Sequence, residues 1–235
     1  MDSPGDRICV ALDGSDRGWI RETAAAVSPH AGWLKLGLEA FTAHGPRLVD
    51  ELAADGSRVF LDLKLHDIPN TVRRAAANCA ATGAAMLNVH ASGGRAMLEA
   101  AVDGATDGGS RHAPKVLAVT VLTSLDRDAL AELGWPSGAD ELVLRWAALA
   151  RDSGLDGVVA SAREAAAIRR ECGPGFVIVT PGIRPVWSTA ADQRRVVTPS
   201  EAIAAGADIL VIGRPITGDP SPADAVARIR SEIDG

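Results

Sequence analysis

The chain has 235 residues, 47% of them apolar and 23% charged, with a formal net charge of −6. This mix excludes a disordered tail, a collagen-like repeat and a small disulfide scaffold, and the acidic balance argues against a nucleic-acid partner, for which a basic stripe is expected. No apolar run reaches the roughly 18 residues that cross a bilayer, and the opening MDSPGDRICVALDG lacks the basic start and long apolar stretch of a signal peptide, so no membrane partner is expected.

Short apolar runs alternate with longer Ala-rich amphipathic segments. In chain order, predicted strands lie at 8–12, 33–37, 59–64, 85–90, 116–121, 157–160, 176–180 and 209–212. Predicted helices between and after them include 16–27, 47–54, 71–81, 95–105, 140–153, 162–171, 199–204 and 222–233. Runs such as VLAVTV and DILVIG are apolar at successive positions, which suits strands covered on both faces of a parallel sheet. Eight β–α units over residues 1–235 predict one domain, a (β/α)8 TIM barrel. An open doubly wound sheet is the alternative, and it lacks a G-x-G-x-x-G after the first strand. Gly56, Gly83, Gly154 and Gly206 fall where helices should stop before the next strand. The segment 184–198 is the longest non-periodic stretch near the C-terminus, and a loop of that length in a compact barrel is expected to be a lid or binding loop.

Basic residues are lopsided: 21 Arg against Lys35, Lys64 and Lys115. Lys115 is expected to open strand five and face solvent. Cys9, Cys79 and Cys172 are scattered, without a C-x-x-C pair, as in buried thiols of a reducing compartment, so a cytoplasmic setting is expected. The five Trp, at 19, 33, 135, 146 and 187, are expected to fill gaps between helices and barrel.

In such a barrel the C-terminal ends of the strands and the loops after them build the active site. Polar residues there are Asp13 after strand one, Lys35 in strand two, Asp62 and Lys64 in strand three with Asp67 just beyond, Thr123 after strand five, and Gly213-Arg214 after strand eight. Strand three reads FLDLKLHDIPNT. Alternation puts Asp62 and Lys64 on one face and Leu61, Leu63 and Leu65 on the other, so the leucines pack against helices and the charges point into the barrel mouth. Inward charges are costly unless paired or ligand-bound, and Lys35 and Asp67 extend the pair to two acids and two amines. The loops after strands seven and eight are a common phosphate position. Here they hold Pro181-Gly182-Ile183-Arg184, Gln193 further along, and Gly213-Arg214, where glycine permits close backbone approach and Arg supplies a bidentate donor. Ser124-Leu125-Asp126 reads first as a helix cap. His66 has no partner at metal-ligand spacing and His90 is expected to be a packed residue, so no metal site is predicted.

The chain resembles the orotidine 5'-phosphate decarboxylase family, bacterial type. The resemblance rests on Asp62-x-Lys64-x-x-Asp67-Ile68-x-x-Thr71, and it extends through ALD at 11–13, KLG at 35–37, VTVLTS at 119–124, PGIRP at 181–185, Gln193, TPSEAIAAGAD at 198–208 and VIGRPIT at 211–217. Val186-Trp187 departs from the usual pattern. The resemblance implies that Asp13 and Lys35 bind the ribose, that Asp62 sits beside the substrate carboxylate, and that Lys64 donates the proton to pyrimidine C6. It implies a homodimer in which Asp67, with Thr71, reaches into the neighbouring subunit's site, and it includes Ile68 in the substrate-binding set. Thr123 would lie by the pyrimidine with Ser124 nearby, while Pro181, Arg184, Gln193, Gly213 and Arg214 would surround the pyrimidine edge and the 5'-phosphate. Neither a metal nor an organic cofactor is implied. The substrate would be orotidine 5'-monophosphate and the product uridine 5'-monophosphate, the last step of pyrimidine nucleotide synthesis.

That chemistry explains the residue types. Loss of CO2 from C6 leaves a carbanion that the ring carbonyls cannot readily delocalise, so electrostatics must stabilise it. An ammonium at ~3 Å is worth about 5 kcal/mol at an effective dielectric of roughly 20. A barrier reduction of ~20 kcal/mol, at the upper end for enzymes, therefore needs further help from phosphate binding energy and water exclusion. Lys64 is expected to keep its charge through pairing with Asp62 and Asp67. Two other readings stand beside this one. Sugar-phosphate decarboxylases and aldolases of the same superfamily share Asp-x-Lys-x-x-Asp but use Mg2+ and carry an acid on strand two, where this chain has Lys35. A non-catalytic nucleotide-phosphate sensor would not need Lys64 between two acids.

Overall fold

A computed structural model describes residues 3–108, 113–135, 138–188 and 197–235. Eight short strands form a closed, wholly parallel barrel: β1 Ile8–Ala11, β2 Trp33–Gly37, β3 Val59–Leu65, β4 Met86–His90, β5 Lys115–Val119, β6 Gly157–Val159, β7 Val177–Thr180 and β8 Ile209–Ile212. Each pairs with its sequence neighbour, and β8 closes on β1 through Ile8 opposite Leu210. This is the TIM-barrel architecture expected from the β–α alternation.

Alternation along the strands divides the apolar residues into two clusters. Ile8, Val10, Leu34, Leu36, Val59, Leu61, Leu87, Val89, Leu210 and Ile212 face the helices. Cys9, Ala11, Trp33, Phe60, Met86, Leu117, Val179, Ile209 and Val211 fill the barrel interior. Trp33 therefore corrects one expectation: it lies inside the barrel among Cys9 and Phe60, because its strand position shares the inward phase of Lys35 and Gly37. Leu63 and Leu65 pack with the outer cluster, as expected.

The helices are α1 Arg17–Val27, α2 Leu38–His44, α3 Pro46–Ala54, α4 Pro69–Ala81, α5 Arg95–Asp107, α6 Arg127–Glu132, α7 Ala139–Asp152, α8 Ala162–Cys172, α9 Pro199–Ala204, α10 Arg214–Thr217 and α11 Pro222–Asp234. Their starts follow local chemistry. Asp16 caps α1 through Trp19 N, Ser161 with Glu164 and Thr198 with Glu201 form capping boxes, and proline opens α3, α4, α9 and α11. In the Ser124–Asp126 segment it is Asp126 that caps, accepting from Ala129 N. Lys115 opens β5, is exposed, and lies 3.8 Å from Asp156.

Polar residues at the N-terminal ends of the strands serve the fold. Asp208 accepts from Arg169 and from Ile178 N, while Arg169 also grips the carbonyls of Gly173, Phe176 and Gly206. A cavity of about 450 Å³ at this end is lined by Asp6, Trp33, Arg58 and Arg230, but Arg58 is already paired with Asp6 and stacked over Trp33.

Candidate active site

At the C-terminal ends of β1, β2 and β3, four ionised side chains form one chain of contacts. Lys35 Nζ donates to Asp13 Oδ1 at 2.7 Å and lies 3.3 Å from Asp62 Oδ2. Lys64 Nζ donates to Asp62 Oδ1 at 2.6 Å. Exposure grades along this chain: the side chains of Lys35 and Asp62 retain 9% and 13% of their accessible surface, Lys64 retains 30%, and Asp13 is open. The array thus has a dry centre and two ends that a substrate can reach. Gly37 makes room for it, since a Cβ there would stand 3.1 Å from both Asp13 Oδ1 and Lys35 Nζ.

Burial by itself would raise the Asp62 pKa. The charges of Lys35 and Lys64, with hydrogen bonds from Lys64 and Asn88, outweigh it and hold the carboxyl below its ordinary value. Burial likewise opposes the charged form of Lys35, but Asp62 and Asp13 prevail and raise its pKa. The low-dielectric centre therefore remains a salt bridge instead of neutralising.

Strand β3 delivers Lys64 in an unusual way. Register with β4 is regular from Phe60 to Leu61 and shifts before Leu65. Within this irregularity Lys64 has φ 55°, the one non-glycine residue with positive φ among those described. The left-handed conformation costs an L-residue roughly 1–2 kcal/mol. Asn88 of β4 faces the bulge and is 1% exposed. Its Oδ1 accepts from Lys64 N at 2.8 Å and its Nδ2 donates to Asp62 Oδ1 at 2.7 Å. Sequence reading missed Asn88; the available signal was a lone amide in the apolar run MLNVH, which burial obliges to find partners. Next along β4, His90 lies 5.5 Å from His66, centroid to centroid. Burial first, then the His66 and Lys64 charges, lower its pKa.

Across the mouth, Thr123, Pro181 and Arg184 line a cavity of about 850 Å³ with Val121, Ile183 and Val197. Ser124 is exposed beside it. Ile183 bridges Val197, and Arg184 N donates to Val197 O, closing the root of the long loop. Trp187 stacks on Arg228 at 3.8 Å, and Arg228 pairs with Asp219. Gln193 lies outside the described residues. Gly213 and Arg214 follow β8 directly. Burial, and then the positive charge of Arg214, lower the Arg184 pKa, so the two guanidinium groups are electrostatic neighbours. Among the described residues neither has an acidic partner.

Asp67, Ile68 and Thr71 are exposed and stand apart from the array. Asp67 Oδ1 accepts from Ile68 N at 2.6 Å. Within one chain the four-charge cluster is thus Asp13, Lys35, Asp62 and Lys64. Among the described residues no group of three or more His, Cys, Asp or Glu is arranged to hold a metal ion.

Residues 6–229 match the family model described as Orotidine 5'-phosphate decarboxylase / HUMPS family. A protein named orotidine 5'-phosphate decarboxylase from Moorella thermoacetica is 54% identical, over 97% of this chain and 92% of that one. One of the same name from Alkalilimnicola ehrlichii is 52% identical, over 97% and 96%. The crystal structure of orotidine 5'-phosphate decarboxylase from Lactobacillus acidophilus superimposes with a TM-score of 0.88 at 37% identity, covering 97% of this chain and 99% of that chain.

Proposed function

The chain belongs to the orotidine 5'-phosphate decarboxylase / HUMPS family, and from that premise we infer that it converts orotidine 5'-monophosphate to uridine 5'-monophosphate and CO2. The observation that carries this reading is the Asp13–Lys35–Asp62–Lys64 chain at the mouth of the barrel. Its accessible amine, Lys64, lies between a buried acid and the opening.

The steps follow from charge. The substrate carboxylate on C6 enters beside Asp62. As the C6–carboxyl bond breaks, its electron pair stays on C6 and CO2 departs. The Lys64 ammonium stabilises the developing negative charge and transfers its proton to C6. Asp13 and Lys35 hold the ribose hydroxyls. Thr123, Pro181 and Gln193 meet the pyrimidine, and Arg184, Arg214 and Gly213 take the 5'-phosphate, whose dianion relieves the repulsion between the two guanidinium groups. The neighbouring subunit of a homodimer supplies Asp67, with Ile68 and Thr71, and Asp67 gives Lys64 a second acid. A cytoplasmic setting fits the three free cysteines, and no helix among the described residues is long and apolar enough to cross a membrane. Lys35 on the second strand, in place of an acid, favours this reaction over a Mg2+-dependent one on a sugar phosphate.

The absorbance change of orotidylate on decarboxylation tests the reading. Turnover is expected and should be unaffected by EDTA. Lys64→Ala should lower kcat by roughly 10²–10⁴-fold or more, the range of general acid catalysis, with uridylate binding retained. No turnover by the parent enzyme overturns the function, and near-normal decarboxylation by Lys64→Ala overturns the role of the lysine.

A further inference from the structure

We propose that Asn88 is a positioning residue for this decarboxylation: its buried amide aims the Lys64 ammonium and sets which oxygen of Asp62 serves which lysine. The proposal rests on the decarboxylase reading above. Its basis is one side chain with two jobs. Asn88 Oδ1 accepts the backbone N–H of Lys64, at 2.8 Å, where the β3–β4 register breaks and Lys64 turns to φ 55°. Asn88 Nδ2 donates to Asp62 Oδ1 at 2.7 Å, the same oxygen that receives Lys64 Nζ at 2.6 Å, which leaves Oδ2 to face Lys35 at 3.3 Å.

Only an amide does both at this place. A carboxylate would accept from Lys64 N but repel Asp62. A leucine would fill the volume and leave a buried N–H and a buried carboxylate oxygen each short of a partner. The left-handed Lys64 needs such a clamp, because a regular strand conformation is the cheaper alternative. Without it the backbone can relax, the ammonium swings off Asp62, and the proton donor loses its aim. Misplacement by about 1 Å costs on the order of 10²-fold in rate. Asn88 need touch no substrate atom for this to hold.

Two variants separate positioning from mere structural support. Asn88→Leu removes both hydrogen bonds; kcat should fall at least about ten-fold while KM stays within about three-fold of the parent. Asn88→Asp keeps the acceptor and sets two carboxyls against each other, so one of them titrates well above the usual carboxylate range. Once protonated, the introduced carboxyl donates again to Asp62. Its kcat relative to the parent should therefore recover as pH falls from about 8 to about 5, whereas Asn88→Leu shows no recovery. Loss confined to KM, kcat within about two-fold of the parent in a folded Asn88→Leu, or the same flat deficit in both variants overturns the proposal.

A crystal structure of Asn88→Leu decides the same point without turnover. Residue 64 should leave the left-handed region and its Nζ should part from Asp62; an unchanged residue 64 overturns the proposal. If Asn88→Leu does not fold, the near-isosteric Asn88→Asp carries the kinetic measurement alone: recovery of kcat toward pH 5 is expected, and a deficit that stays flat from about pH 8 to about pH 5 overturns the proposal. An inactive parent enzyme would instead sink the decarboxylase reading, leaving the structural readout to judge Asn88.

Discussion

Arg184 and Arg214 are drawn together by the loops after β7 and β8, and the charge of Arg214 adds to burial in lowering the Arg184 pKa. Two neighbouring cations without an acid, among the described residues, are unfavourable until a dianion joins them. Asp62 shows the opposite solution within the same site, one buried acid shared by two amines. Hydrogen bonds to charged groups are worth about 1.5–3 kcal/mol each. Arg214→Ala should therefore raise KM for orotidylate roughly 10- to 100-fold, and leave weak binding of the unphosphorylated nucleoside nearly unchanged. An unaltered KM for the nucleotide would place the phosphate elsewhere. The Arg pair was legible in the sequence because both residues follow strands at the barrel mouth. Asn88 was not, since its partners come from a neighbouring strand at a bulge that no local pattern announces.

The elements carry the residues to one end, and their spacing is as selective as their chemistry. Strand β2 illustrates this: Lys35 and Gly37 share a face, and the missing side chain at Gly37 leaves 3.1 Å between its would-be Cβ and the Lys35–Asp13 pair. The contacts are with the far ends of flexible side chains, so Gly37→Ala should fold with little loss of stability yet displace the ion pair. Its kcat/KM should drop roughly ten-fold, with a melting temperature close to the parent's. Wild-type kcat/KM in this variant would show that the pair tolerates crowding. All eight strands were readable to within two residues at each end, because each is a short apolar run between helices. Helices α2 and α10 escaped notice and α6 was read only at its Ser124–Asp126 cap; they have 7, 4 and 6 residues, too few for an amphipathic period to repeat. The face assignment of Asp62 and Lys64 came from simple alternation. The positive φ that lets Lys64 return to Asp62 did not, since β-strand periodicity carries no record of a left-handed residue.

For the whole molecule, the closed barrel leaves the loop between β3 and α4 exposed. Asp67, Ile68 and Thr71 follow β3 directly, are exposed, and include an Ile side chain that keeps 67% of its surface. Among the described residues no cation pairs with Asp67, although it follows the strand that carries Lys64. Lys64 meanwhile has one acid partner among the described residues, Asp62. Both observations are met if a second copy lays its β3–α4 loop across the mouth, so that each site combines Lys64 of one subunit with Asp67 of the other. Homodimers of Lys64→Ala would then carry no working site, and homodimers of Asp67→Ala none with full activity. A mixed dimer holds one site with both defects and one with neither. Co-refolding the two variants at equal amounts should yield half mixed dimers, each with one intact site, and so about a quarter of wild-type activity. Activity no greater than the sum of the two separate variants, with mixed dimers demonstrated by differently tagged chains, would mean that each barrel works alone. The exposed Asp67 would then need a different explanation.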